Sequence, residues 1–270
     1  MMSKYSDIKN LFIDSVDSKN YIDLESLSFN YNVLEDSLDK PLKMILLFGR
    51  PGTGKSMTLN KLYQNLKDKR EIHYFDAPIL SEKEFLKSIY ESISGKKIPQ
   101  NMRVNFDGLL RFTQQLKGKR EIIFLLDECQ LYSEALMEKI RLLSDTRVVK
   151  FVITLHKTEN EDVIAKEHFK TRIWEVIELK NASEEELEIY VQKKLLQKHF
   201  VDVANLIQAK HIKFIHTHTL GNFRETNKFL YTVFSIYEYY ELNRPEKIPK
   251  GRFSRKILEM AAIKLGYIHD

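Results

Sequence analysis

Five consecutive apolar residues, Met44 to Phe48, run directly into Gly49-Arg50-Pro51-Gly52-Thr53-Gly54-Lys55-Ser56, and helical spacing resumes at once with Met57, Leu59, Leu62, Tyr63 and Leu66. An apolar run that stops at glycine reads as a strand buried on both faces. The chain is therefore committed to a strand, a glycine turn and a helix in immediate succession. The GxxxxGK[ST] spacing has a chemical meaning in that context. Its glycines let backbone N–H groups turn inward on phosphate oxygens, and the helix start adds its positive end. Lys55 then reaches the β and γ phosphates of a nucleoside triphosphate and Ser56 contacts Mg2+. Gly49, Pro51, Gly52, Thr53, Gly54, Lys55, Ser56 and Met57 are the expected nucleotide-binding residues, with Lys55 also catalytic and Ser56 a metal ligand.

The same alternation continues downstream. Ile72 to Phe75 reads as a second strand, Ile122 to Leu126 as a third, Val148 to Leu155 as a fourth and Ile173 to Leu179 as a fifth. Between them lie helices at Ser81 to Ile93, opened by Ser81 and Glu84, at Phe106 to Leu116, and near Ser133 to Leu143. Strands alternating with helices predict an α/β three-layer fold with a parallel sheet. After Lys180 helical spacing dominates. A Ser183 and Glu186 capping box opens a helix through Leu196, followed by helices near Val201 to Ala209, Ile212 to His218, Phe223 to Tyr240 and Phe253 to Leu265. The expected organisation is a leading segment, 1–40, with a helix around Tyr31 to Leu38; an α/β domain, 41–180; and a helical lid domain with a basic tail, 181–270.

The third strand ends in Asp127-Glu128. An apolar strand closing on paired acids supplies what a metal-phosphate site needs. Asp127 holds Mg2+ through water, and Glu128 polarises an attacking water, so hydrolysis is the expected reaction. The plainer alternative is that the two acids only cap the next helix. Small-molecule kinases share the glycine loop without needing the water-activating glutamate.

Composition narrows the setting. The net charge of +5 comes from 43 basic residues interleaved with 38 acidic ones, which permits an anionic partner without requiring one. One cysteine, Cys129, excludes an intramolecular disulfide and any multi-cysteine metal site, which fits a reducing, cytoplasmic setting. Apolar runs such as Met44 to Phe48 are far shorter than the roughly 20 residues of a membrane helix, and the amino terminus lacks a signal-peptide core.

Leu125-Leu126-Asp127-Glu128-Cys129-Gln130-Leu131 resembles the DEAQ-L segment of AAA+ ATPases of the ExeA and TniB/TnsC group, with Cys129 in place of alanine. Arg141-Leu142-Leu143-Ser144 is similar to that group's RLLSN stretch. Leu220-Gly221-Asn222-Phe223-Arg224-Glu225-Thr226-Asn227 resembles its sensor 2 motif, with Phe223 replacing proline and Thr226 replacing isoleucine. The likeness spans about residues 40 to 240 and implies a Mg-ATP-hydrolysing AAA+ protein that assembles into a homo-oligomer when ATP is bound and acts on a protein or nucleic-acid partner. It implies His156, or else Thr154, as sensor 1; Arg172 as an arginine finger on ATP held by the next subunit; and Arg224 as sensor 2. Without the resemblance, His156 reads equally as a surface-loop histidine and Arg172 as a solvated charge. The alternatives in function are a DNA-associated TniB/TnsC-like ATPase, a nucleotide-gated scaffold with negligible turnover, and a phosphotransferase, for which no acceptor site is recognisable. Lys247, Lys250, Arg252, Arg255 and Lys256 form a basic cluster suited to nucleic-acid phosphates or an acidic protein, or simply to solvent.

Overall fold

The computed structural model describes residues 3–99, 103–156, 173–249 and 251–268. Five strands, β1 (Met44–Gly49), β2 (Ile72–Phe75), β3 (Ile122–Leu126), β4 (Val149–His156) and β5 (Ile173–Leu179), form one sheet in the order β2-β3-β4-β1-β5. Every pairing is parallel. Parallel strands need covered faces, and β1, β3 and β4 are buried along almost their whole length. One sheet face, with Leu46, Phe124, Leu126, Phe151 and Ile153, packs into a core with the buried residues of α4 (Glu82–Ser94), α5 (Phe106–Gln114) and α6 (Glu134–Ser144). On the same α/β unit α3 (Lys55–Leu66) packs against β1 and β2.

Local signals set several boundaries. Ser81 caps α4 by accepting from the Glu84 N–H, and Gly95 ends it in the left-handed region at φ 67°. α2 (Glu25–Asp39) extends further than the helix expected around Tyr31 to Leu38. Its carboxyl end is held from an unexpected direction. The Lys150 ammonium, buried on β4, donates to the carbonyls of Leu38 and Lys40, the latter at 2.9 Å, and pairs with Glu121 at 3.0 Å. A cation on the last carbonyls of a helix meets both their unpaired acceptors and the negative end of the dipole.

The described residues divide into two units: Ser28–Arg50 with Lys55–Leu179, which holds the sheet, and Met1–Leu27, Pro51–Gly54 and Lys180–Asp270, which is helical. The helical unit contains α7 (Glu184–Leu196), α8 (Val201–Leu206), α9 (Ala209–Thr219), α10 (Phe223–Asn243) and α11 (Arg255–Lys264). The Ser183 and Glu186 capping box is complete in both directions. α8 and α9 are shorter and longer, respectively, than their sequence spacing suggests. The chain turns extended at Ile207, and the Gln208 N–H donates to His211 Nδ1 at 3.0 Å to open the next helix.

The leading segment contributes α1 (Lys4–Asn10), which its sequence does not announce. It lies along α10: Tyr5 stacks on Tyr237 with centroids 4.9 Å apart, Phe12 stacks on Phe234 at 5.6 Å, and Lys9 pairs with Glu238. The aromatic residues of α10 are thus largely core, with Phe229, Phe234 and Tyr237 buried.

Candidate functional site

In the α/β unit the strand order decides what meets at the carboxyl edge. β4 lies between β1 and β3, with Gly49 opposite His156, Leu47 opposite Thr154 and Leu126 opposite Ile153. The glycine loop after β1, the acids after β3 and the end of β4 therefore share one edge, where open parallel sheets bind ligands. Lys55 is buried and its ammonium donates to the carbonyls of Gly49 at 2.8 Å and Arg50 at 2.9 Å. Thr53 is buried as well, and Ser56 and Met57 follow in the first turn of α3. The Tyr74 hydroxyl on β2 donates to the Ser56 carbonyl at 3.5 Å; burial chiefly, then the charge of Asp127, raises its pKa.

Asp127 is 3% exposed. Its Oδ1 accepts from the Thr154 hydroxyl and from the Glu128 N–H at 3.0 Å, while the same Glu128 N–H also donates to Thr154 Oγ1 at 2.9 Å. Three groups thus close a small ring that pins the Asp-Glu turn. Glu128 takes φ 53°, a left-handed value that costs an L residue about 1–2 kcal/mol, so these bonds hold a strained residue in place. Its side chain points into partial solvent, with Oε1 4.0 Å from His156 Nε2. Gln130 Nε2 lies 3.3 Å from His156 Nδ1; an amide nitrogen only donates, so Nδ1 accepts and a neutral ring carries its proton on Nε2, toward Glu128. Of the two sensor 1 candidates, Thr154 touches Asp127 and His156 approaches Glu128. Burial pushes the Cys129 thiol well up, so it is a packing residue here.

The loop tip lies with the helical unit. Gly52 and Gly54 have φ of 81° and 96°, which admit the inward-facing amides of a phosphate cradle. Asn222, the amino-terminal cap of α10, donates through Nδ2 to the Pro51 carbonyl at 2.7 Å, and the Phe223 N–H donates to the Gly52 carbonyl at 3.2 Å. A methyl group on Gly52 would meet Asn222 Oδ1 at 2.3 Å and Arg224 Cβ at 2.7 Å. Arg224 therefore stands beside the loop tip. Its Nε donates to Asp14 Oδ2 at 3.1 Å, and both side chains are more than half exposed. Gly221, at φ 71°, lets the Ala182 N–H reach its carbonyl at 3.0 Å. Arg172 and Lys250 lie outside the described residues.

Sequence reasoning did not name Asp14, whose partner is 210 positions away, or Gln130 and Tyr74 as neighbours of the acids. Thr154 carried a signal: it and His156 share one face of β4 at strand period.

The residues fit a bound cation and triphosphate. The Thr154 hydroxyl and the Glu128 N–H both donate to Asp127 Oδ1, which leaves Oδ2 to accept from a cation-bound water. Among the described residues no group of three His, Cys, Asp or Glu side chains is arranged for a metal; the single carboxylate of Asp127 together with substrate phosphates would suit Mg2+. Gln130 Oε1 is buried with no donor among the described residues, which leaves acceptor capacity for a water in this cluster.

A glycine loop and helix after a central parallel strand, acids at the end of a second strand and a helical region after the sheet define an AAA+ P-loop NTPase fold. Residues 39–163 match the family model described as an AAA domain. Among solved structures the chain is similar to Cdc6p from Pyrobaculum aerophilum, at TM-score 0.66 and 15% identity over 95% of this chain and 70% of that one. It is similar to the Aeropyrum pernix ORC1 protein solved in complex with DNA, at TM-score 0.63 and 14% identity over 95% and 69%. Domain III of the replication initiation protein DnaA from Thermotoga maritima matches at TM-score 0.54 and 17% identity over 92% of this chain and 96% of that one. No curated protein matches the sequence. Among the described residues no helix is long and apolar enough to cross a membrane.

Proposed function

We propose that the chain binds and hydrolyses Mg-ATP and works as an assembling switch on a partner. The observation that carries this reading is the Thr154-pinned Asp127-Glu128 turn on the same sheet edge as the glycine loop. In the reading, the backbone of Gly49 to Ser56 cradles the phosphates and Lys55 moves its ammonium from the Gly49 and Arg50 carbonyls to the β and γ oxygens. Ser56 and Asp127 would hold Mg2+, which would supply neutralisation of the phosphate charge. Glu128 takes the proton of a water as its oxygen attacks the γ phosphorus and the bond to the bridging oxygen breaks, releasing ADP and phosphate. His156 donates through Nε2–H within this cluster, and Arg224 stabilises phosphate charge from beside the loop tip.

Arg172 is assigned to the ATP of a neighbouring subunit, which makes efficient turnover depend on assembly into a homo-oligomer. The partner is best read as nucleic acid, as in the TniB/TnsC-like alternative, because one similar structure is of a protein in complex with DNA and another belongs to a replication initiation protein. A nucleotide-gated scaffold predicts the same binding without turnover. Calorimetric titration of ATP with magnesium into wild type and Lys55→Ala tests the binding step. The reading expects affinity in the first and at least tenfold weaker affinity in the second; equal affinities refute it. Arg172→Ala is expected to bind ATP normally and to lose hydrolysis, and an active monomer whose rate is independent of concentration contradicts the assembly step.

A further inference from the structure

The basic cluster foreseen at the chain's end is half of a larger feature. Arg252, Arg255 and Lys256, at the entrance to α11, face Lys210 at the start of α9 across a cleft of about 370 Å3 whose lining includes Phe214 and Phe253. None of the residues that line it is acidic. Arg255 pairs with Glu259, outside that lining, at 2.9 Å in the i,i+4 register. Arg255 also lies over the Phe214 ring, its guanidinium carbon 5.3 Å from the centroid, which is cation–π range. His211 lies beside these cations. It is buried against Phe253, and desolvation first, then the charges of Lys210 and Arg255, lower its pKa.

We propose that this cleft of the helical unit binds the phosphodiester backbone of a nucleic acid. Four cations from two segments that are remote in sequence, around a groove lined by no acidic residue, match a ligand whose negative charge repeats along its length. Phe253 is buried and Phe214 only partly exposed beneath Arg255, so the cleft offers charge rather than a stacking platform, and the contact is to backbone and independent of sequence. The cleft shares no residue with the glycine loop or the Asp127-Glu128 turn. It rests on the nucleic-acid reading of the partner and gives that partner a site, and the ATPase and the cleft fail separately: loss of nucleotide affinity with intact DNA binding refutes the first, and the converse refutes this one.

The test is fluorescence anisotropy of the full chain with a labelled duplex of about 20 base pairs and a single strand of equal length, across a salt series. The expected wild-type slope of log affinity against log salt is about −3.6 on duplex or about −2.8 on the single strand, if each of the four cations neutralises one phosphate. The Lys210→Gln, Lys256→Gln double variant should halve that slope and weaken binding on the order of tenfold or more at about 50 mM salt. Lys67→Gln, Lys69→Gln, an equal charge change on exposed lysines of the α/β unit, should change it far less. Unchanged ATP affinity in both variants excludes misfolding as the cause. Three results overturn the proposal: no binding to either strand form at low salt, equal losses in the two double variants, or displacement of the duplex by polyglutamate at matched charge.

Discussion

Replacing Thr154 by valine removes one oxygen and leaves the shape almost unchanged, yet that oxygen organises the acid turn. Thr154 is fully buried; its hydroxyl donates to Asp127 Oδ1 and accepts from the Glu128 N–H at 2.9 Å. Two bonds are lost, one to a charged and buried carboxylate, and a hydrogen bond to a charged group contributes about 1.5–3 kcal/mol. The Glu128 N–H keeps its second acceptor, Asp127 Oδ1 at 3.0 Å, so the loss on that side is smaller. Together these give an expected destabilisation of about 2 kcal/mol, a fall in urea midpoint of about 1 M at a slope of about 2 kcal/mol/M. The functional effect should exceed the structural one, because Glu128 sits at φ 53° only while the ring of bonds holds it there. Phosphate release should fall at least tenfold, with ATP affinity changed far less, and Thr154→Ser should restore most of both losses. A valine variant within about 0.5 kcal/mol of wild type and with an unaltered rate would show that the ring does not organise the turn.

Gly52→Ala should be worse than its backbone angle alone suggests, since φ 81° costs about 1–2 kcal/mol while the new methyl also strikes Asn222 Oδ1 and Arg224 Cβ; at least tenfold weaker ATP binding by calorimetry is expected. Gly221→Ala and Gly95→Ala form a matched pair at φ 71° and 67°. The first drives a methyl to 2.0 Å from the Ala182 carbonyl and should cost about 3 kcal/mol in urea unfolding, whereas the second meets no atom within 4 Å and should cost about 1. Lys194 packs over the Phe12 and Tyr190 rings and donates to Tyr190 and Asn227; its burial lowers its pKa to about 8, against the opposing pull of Asp14. Between pH 8 and 10 the unfolded chain keeps this proton and the folded one releases it, so stability should rise with pH across that window relative to Lys194→Met. A parallel pH dependence in the two proteins would contradict that assignment.

Much of this was legible because the relevant signals are local. The boundaries of β3 follow from a short apolar run, and β2, β3 and β5 are each flanked by charged residues, while the start of α7 follows from Ser183 and Glu186. What escaped depends on distant chain. α1 has only seven residues, too few to be helical alone, and exists because Tyr5 and Ile8 are buried, with Tyr5 stacked on α10. The break between α8 and α9 involves the side chain of His211, which accepts from the Gln208 N–H, a contact that spacing alone does not reveal. Arg224 could be singled out by its motif, but not its contact with Asp14, because ion pairing between exposed side chains leaves no trace in local spacing. Thr154 and His156 could not be ranked by strand period, which puts them on one face; only the hydrogen bonds distinguish them.

The most direct measurement is phosphate release from Mg-ATP by wild type and Glu128→Gln at several protein concentrations, with ATP affinity determined in parallel. The account predicts equal nucleotide affinity in the two proteins and hydrolysis that is at least a hundredfold slower in the variant, the scale of a positioned general base. Equal rates, or nucleotide affinity that disappears with the glutamate, would contradict it.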